Sequence, residues 1–214
     1  MTKKELKNIT SSFNDIKIII DQHNELLKQT SRVRRRLKTL LNDYSFLSDL
    51  VSINATDTIL DNALRIFFNK LGYDKVECVG KKFKEEDVRL WLNDKLIIFE
   101  VTGSKNDIPT DDKTFQIIKH RPVRQLKYPN LKVFACFVIN HDNKKPFGQR
   151  KHDPFDKRLE KLALANNVCI CTTTDLVNAF SNYKKGLITQ DELIENLCSP
   201  GILKIFGHSQ SPVL

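Results

Sequence analysis

Apolar residues near the start of the chain follow a seven-residue rhythm. Leu6, Ile9, Phe13, Ile16, Ile20, His23, Leu27, Thr30, Arg34, Leu37, Leu41 and Tyr44 succeed one another at alternating spacings of three and four. The first Gly is Gly72 and the first Pro is Pro109, so nothing up to Leu71 breaks a helix. The spacing predicts a long helix whose apolar stripe drifts as a coiled-coil seam does. The stripe can meet a second copy, fold back as a hairpin, or pack on its own domain. His23, Thr30 and Arg34 interrupt it and would weaken a seam while fixing its register.

After "SINATD" at 52–57 the rhythm changes. Thr56 or Asp57 can cap a second helix, "TILDNALRIFFNKL", with Gly72 just past its end. Period-two alternation then predicts strands: "DKVECVG", and "EDVRLWL" paired with "KLIIFEVT" across the turn Asn93-Asp94. A helix follows, "DKTFQIIKHRPVRQLKY", which Pro122 should bend or split. "LKVFACFVIN" reads as a strand covered on both faces, "DPFDKRLEKLALANN" as a helix and "VCICTT" as a buried strand. Two closing helices begin near Thr173 and at Thr189 or Asp191. The fold class expected is α/β: an antiparallel meander of three strands extended by crossover strands, behind an N-terminal helical arm. The expected domains are 1–52 (coiled-coil arm) and 53–214. No internal repeats occur, and low complexity is confined to the tail "GHSQSPVL".

Composition changes this picture in three ways. The 214 residues carry a net charge of +9, which suits a polyanionic partner, most often nucleic acid. The basic runs are "RVRRR" at 32–36, read either as solvated surface or as phosphate contacts, and the region from Lys113 to Arg158. Aromatics are sparse in that region, so phosphate contact suits it better than base stacking. The five cysteines form no CxxC pair, and Cys136, Cys169 and Cys171 sit in apolar runs, so they are expected as reduced core residues. There is no apolar leader and no run of about 20 apolar residues, so a soluble cytoplasmic protein without membrane contact is expected.

The candidate chemistry lies in "EEDVRLWLNDKLIIFEVTGSK" at 85–105. Asp87 opens one strand and Glu100 closes its partner. Counted outward from the turn, they fall near the same level. Two carboxylates meeting there repel each other. A divalent cation held by both, with a backbone carbonyl and waters, would resolve this, because Mg²⁺ prefers such hard oxygen donors. The plain alternative is two separate acids at strand ends.

The order helix, meander, helix, strand, with "EEDVRLWL" and "IIFEVTGSKNDI" on the second and third strands, resembles the PD-(D/E)xK, or restriction-endonuclease-like, nuclease superfamily. The resemblance spans about residues 57–180 and includes bacterial members linked to defence against foreign DNA. It implies a Mg²⁺- or Mn²⁺-dependent DNA nuclease or nuclease subunit acting on phosphodiesters. Asp87 and Glu100 would be the two acids, the Val101 carbonyl a backbone ligand, and Asp61 an extra acid on the preceding helix. Gln116 would face the site, and Asn140 and Arg150 match polar positions after the fourth strand. The chain departs from the pattern at Thr102, where the superfamily places lysine. Lys105 is the first substitute, with Lys113 or Lys119 on the next helix as others. The expected duplex contacts are Lys119, Arg121, Arg124, Lys127 and Arg150. The expected assembly is a homo-oligomer through residues 6–44, with room for a partner subunit. The competing reading is a silent nuclease-like scaffold that binds nucleic acid or protein.

Overall fold

The computed structural model describes the backbone of residues 3–79, 85–105 and 111–204, and the side chains of 20–79, 85–105 and 116–204. The side chains of the seam residues Leu6, Ile9, Phe13 and Ile16 and of Lys113, and the tail at 207–214, therefore lie outside what is described. The chain divides into two units, Met1–Ser45 and Phe46–Leu214.

The first unit is one α-helix, α1 (Lys3–Asp43), 41 residues long. At 1.5 Å per residue it extends about 60 Å. Its seam residues Ile20, Leu27, Leu37 and Leu41 are all more than half exposed. Thr30 and Thr39 turn their hydroxyls back onto the carbonyls of Leu26 and Arg35, which lets them sit in a helix without an outside partner.

The second unit opens with a short helix, α2 (Ser45–Leu50), whose Phe46 and Leu50 are buried. Then come α3 (Asp57–Lys70), β1 (Val76–Cys78), β2 (Val88–Trp91), β3 (Lys95–Gly103), α4 (Asp111–Lys127), β4 (Lys132–Asn140), α5 (Lys157–Ala165), β5 (Val168–Thr172), α6 (Thr173–Lys184), α7 (Gln190–Cys198) and β6 (Gly201–Ile202). The six strands form one sheet in sequence order. β1, β2 and β3 run antiparallel, and β3 to β6 run parallel.

Helices cover both faces. On one, Ile97, Phe99 and Val101 of β3 join Cys136, Cys169 and Cys171, together with the apolar sides of α2, α3, α6 and α7. On the other, Leu96 and Ile98 join Phe137, Ile139 and Ile170 with Ile117 of α4 and Leu159 of α5. β3 therefore alternates between two cores, which is why its sequence reads as a continuous apolar run. The five cysteines are free thiols, three of them buried.

Local chemistry sets the helix ends. Thr56 is the N-cap residue of α3, and Gly72 follows its C-cap at φ +97°, a conformation that favours glycine. Capping boxes start α6 (Thr172 with Asp175) and α7 (Thr189 with Glu192). Pro122 lies inside α4 without dividing it. The residues on either side of the proline are tied to their surroundings. Arg121 Nε donates to the Val133 carbonyl, and the Gln125 amide bonds both the Leu131 carbonyl and the Val133 N–H. These bonds outweigh the one helical hydrogen bond that proline removes.

Candidate functional site

The site is built where β2 begins and β3 ends. Their ladder stops at Val88 opposite Phe99. By strand alternation Glu100 and Thr102 share the α4 face with Leu96 and Ile98, and both are buried, at 3% and 8% exposure. One step outside the ladder, Asp87 departs from regular pairing. Its N–H donates to the Phe99 carbonyl, and its carboxylate Oδ2 accepts the Val101 N–H at 2.8 Å. A side-chain oxygen thus stands where the next main-chain carbonyl of β2 would stand. It holds the Asp87 carboxyl against the Glu100–Thr102 segment.

Asp87 also lies among groups from both flanking helices. Burial pushes the Cys78 thiol pKa up, and the charges of Asp61 and Asp87 push it further. The Cys78 Sγ donates to the Asp61 carbonyl at 3.5 Å. On the α4 side, burial pulls the His120 pKa below its ordinary value, while Glu86 and Asp87 act in the opposite sense. Gln116, Lys119 and His120, one helical turn of α4, line a small cleft with Glu85. Lys119 and Gln116 thus share this cleft with Glu85. His120 sits closer to the carboxylates than a surface histidine would; its i+4 spacing from Gln116 is the signal that could have found it.

Beneath this cleft is a four-charge network. Arg124 of α4 donates through Nε to both Glu86 carboxylate oxygens, at 2.8 and 2.9 Å, and its Nη2 lies 2.8 Å from Glu85 Oε2. Arg89 of β2 reaches both of the same carboxylates. Burial alone would raise the pKa of Glu86, but hydrogen bonds from Arg124 and Arg89 outweigh it and leave the group below its ordinary value. Two acids and two arginines balance at its centre, as buried ions must, and the more exposed Glu77 lies 3.9 Å from Arg89 Nη1 at its edge. The network pins α4 to the residues immediately before Asp87. The spacing of Glu85 and Glu86 to Arg89 hints at part of it, but nothing local points to Arg124.

Two arginines expected at a nucleic-acid surface are turned inward. Arg124 is spent on Glu86. Arg150 is also buried, and its guanidinium donates to Asn140 Oδ1 and to the carbonyls of Val51 and Lys145. Asn140 in turn donates to the Ser52 carbonyl. The pair is a staple joining the loop after β4 to the segment before α3, because a buried guanidinium needs several acceptors at once. Of the other expected contacts, Lys119 and Lys127 are exposed, with the Lys127 ammonium 5.5 Å from the Tyr128 ring centre. Arg121 is half-buried on the Val133 carbonyl. Lys105 is exposed just past Ser104, whose N–H donates to the Asn140 carbonyl on the β4 side. Asp61 is half-buried on α3, beside Cys78 and Arg65.

Among the described residues no group of three or more His, Cys, Asp or Glu is arranged to hold a metal ion. The donor types at the site are nonetheless hard oxygens: two carboxylates and the Val101 carbonyl, which leaves β3 on the same edge as the Val101 N–H. They fit Mg²⁺ or Mn²⁺ in kind, with water completing the shell, and do not suit a thiophilic metal.

The order helix, antiparallel three-stranded meander, helix and parallel fourth strand is compatible with a restriction-endonuclease-like fold. The chain is similar to the restriction endonuclease FokI over 74% of its own length, with a TM-score of 0.51 and 14% identity. The likeness covers 30% of the FokI chain and shows the fold alone. No family model and no curated protein matches the chain. Among the described residues no helix is long and apolar enough to cross a membrane.

Proposed function

We propose that the chain is a Mg²⁺- or Mn²⁺-dependent nuclease, or the nuclease subunit of a larger assembly, acting on DNA. The observation that supports this best is the Asp87 carboxylate fixed on the Val101 N–H beside buried Glu100. Two acids this near in the fold would repel each other unless a counter-charge joined them, and a divalent cation would supply one. A bound divalent ion would polarise the phosphodiester and favour ionisation of the attacking water. Asp87, Glu100 and the Val101 carbonyl would hold it, with Asp61 in support. Lys105 is the candidate for the amine that Thr102 lacks, and Lys119 is its alternative on α4. Gln116 would orient a phosphate or water. Lys119, Arg121 and Lys127 remain the candidate contacts to the duplex on α4. The exposed seam of α1 would pair with a second copy, giving a dimer. A role in defence against foreign DNA rests on the sequence resemblance alone.

The second reading is a nuclease-like scaffold without catalysis. It rests on Thr102, a neutral, buried side chain where the superfamily carries a cation.

Thermal unfolding and cleavage, measured together, test the pair of readings. Mg²⁺ should raise the Tm of the wild type, because it binds the folded site and not the open chain. The rise should vanish in Glu100→Gln and Asp87→Asn, and cleavage with it. Both variants should fold, since Asn can still accept the Val101 N–H. A Tm shift without cleavage selects the scaffold. Neither shift nor cleavage removes the nuclease reading.

A further inference from the structure

The middle of α1 is strongly one-sided in charge. From Leu26 to Asn42 there are six Lys and Arg residues and no Asp or Glu. At 3.6 residues per turn, Lys28, Arg32 and Arg35 fall within about 60° of arc, with Arg36 and Lys38 flanking them. Leu26, Val33, Leu37, Leu40, Leu41 and Tyr44 fall on the opposite side, and all are exposed. Lys28, Arg32 and Arg35 line a shallow groove with Leu27 and Ser31. The sequence run "RVRRR" therefore resolves into a stripe, with only Arg34 displaced toward the apolar side.

A stripe of this kind works against its own helix. Lys28 and Arg32, and Arg32 and Arg36, are like charges at i,i+4, which destabilises a helix. Solubility alone would be served by interspersed signs. The pair Lys28–Glu25, at 3.8 Å, is exposed and lies at the stripe's edge. Arg32, Arg35, Arg36 and Lys38 lie in a stretch without an acid from Leu26 to Asn42, and that stretch suits an anionic partner.

We infer that the Lys28–Arg32–Arg35 face of α1 binds the phosphate backbone of duplex DNA, apart from the carboxylate site of the second unit. Successive members of the stripe rise about 6 and 4.5 Å along the helix, against one phosphate per about 3.4 Å along each strand of a duplex. Each therefore meets its own phosphate. Arginine's planar fork suits that contact. An anionic membrane is the lesser candidate. His23, Thr30 and Arg34 interrupt the apolar side at the heptad spacing, which suits a partner helix and not a bilayer. With the apolar side so covered, the basic side faces outward.

The inference does not rest on catalysis, so the test is run on the full chain in EDTA. Anisotropy of a short labelled duplex is titrated across a range of salt. Lys28→Glu, Arg32→Glu and Arg35→Glu together should weaken binding by at least tenfold and flatten the salt dependence by about 0.9 for each phosphate no longer neutralised. If sedimentation shows that the reversals disturb assembly, Lys28→Gln, Arg32→Gln and Arg35→Gln must flatten the slope in the same way. Unchanged affinity and slope in the triple variant overturn the inference. So does a wild type that ignores the duplex, whether or not it binds phosphatidylserine vesicles.

Discussion

Arg32 and Arg35 of α1 look like Arg124 and Arg150 of the second unit in sequence and differ from them in burial and in partners. Arg32 and Arg35 lie on an exposed helix with no acid between Leu26 and Asn42. Arg124 and Arg150 sit in runs just as basic, "KHRPVRQLK" and "NKKPFGQRK", yet both are buried. The difference is the availability of acceptors from far along the chain. Glu86 reaches Arg124 across 38 positions, and Val51 reaches Arg150 across 99. A basic run is a statement about composition; whether it is a surface depends on what folds against it.

The sharpest way to break this contrast is to remove one buried partner. Arg124→Ala leaves Glu86 buried with fewer partners and should cost about 3–5 kcal/mol in urea unfolding. Replacing Arg124, Arg89, Glu85 and Glu86 together by apolar residues of similar volume should recover much of that stability. Equal stability of Arg124→Ala and wild type would mean that the network is not closed in solution.

A smaller effect follows from acid. Burial tends to raise Glu86, but Arg124 and Arg89 hold its folded pKa below the ordinary 4.5. A carboxylate lowered in this way stabilises the fold above its unfolded pKa. That contribution disappears as pH falls from about 4.5 through the folded value. Glu85, held down first by the Arg124 hydrogen bond, acts in the same direction. Stability measured between neutral pH and pH 3 should fall more steeply in wild type than in the apolar network variant. Parallel curves would refute the assignment.

The smallest effect on stability belongs to α1. Leu37→Asp with Leu41→Asp should leave the unfolding of the second unit within about 0.5 kcal/mol of wild type, as for other exposed positions. Sedimentation should nevertheless shift toward monomer. A double variant that assembles as the wild type does would remove the seam as the dimer contact.

The fold was legible wherever periodicity ran for several residues. The order of α3 to α6, the meander and the two covered strands follow from alternation and from the helix-end signals at Thr56 or Asp57, Gly72, and Thr189 or Asp191. Elements without length were not legible. β6 is two residues paired to β5, and α2 is six residues set off by a turn at Tyr44. Pro122 misled because the tertiary bonds of Arg121 and Gln125 are invisible locally. At the site, the place of Asp87 one step outside the Val88–Phe99 pair could be counted from the Asn93-Asp94 turn, but its departure from the ladder onto the Val101 N–H could not. The Glu86–Arg124 pair and the inward turn of Arg150 could not, since each depends on a partner that no local pattern names.

The bond from the Val101 N–H to Asp87 also divides one residue between two duties. The Val101 side chain is fully buried in the core with Phe99 and Cys136, while its N–H donates to the Asp87 carboxylate. Natural drift at position 101 is thus answerable to packing alone: Ile or Leu would change core volume and leave the anchor in place. Proline is the exception, for it deletes the N–H. A library of substitutions at Val101 should separate these duties, with apolar replacements sorting by volume and proline standing apart as the one that releases Asp87.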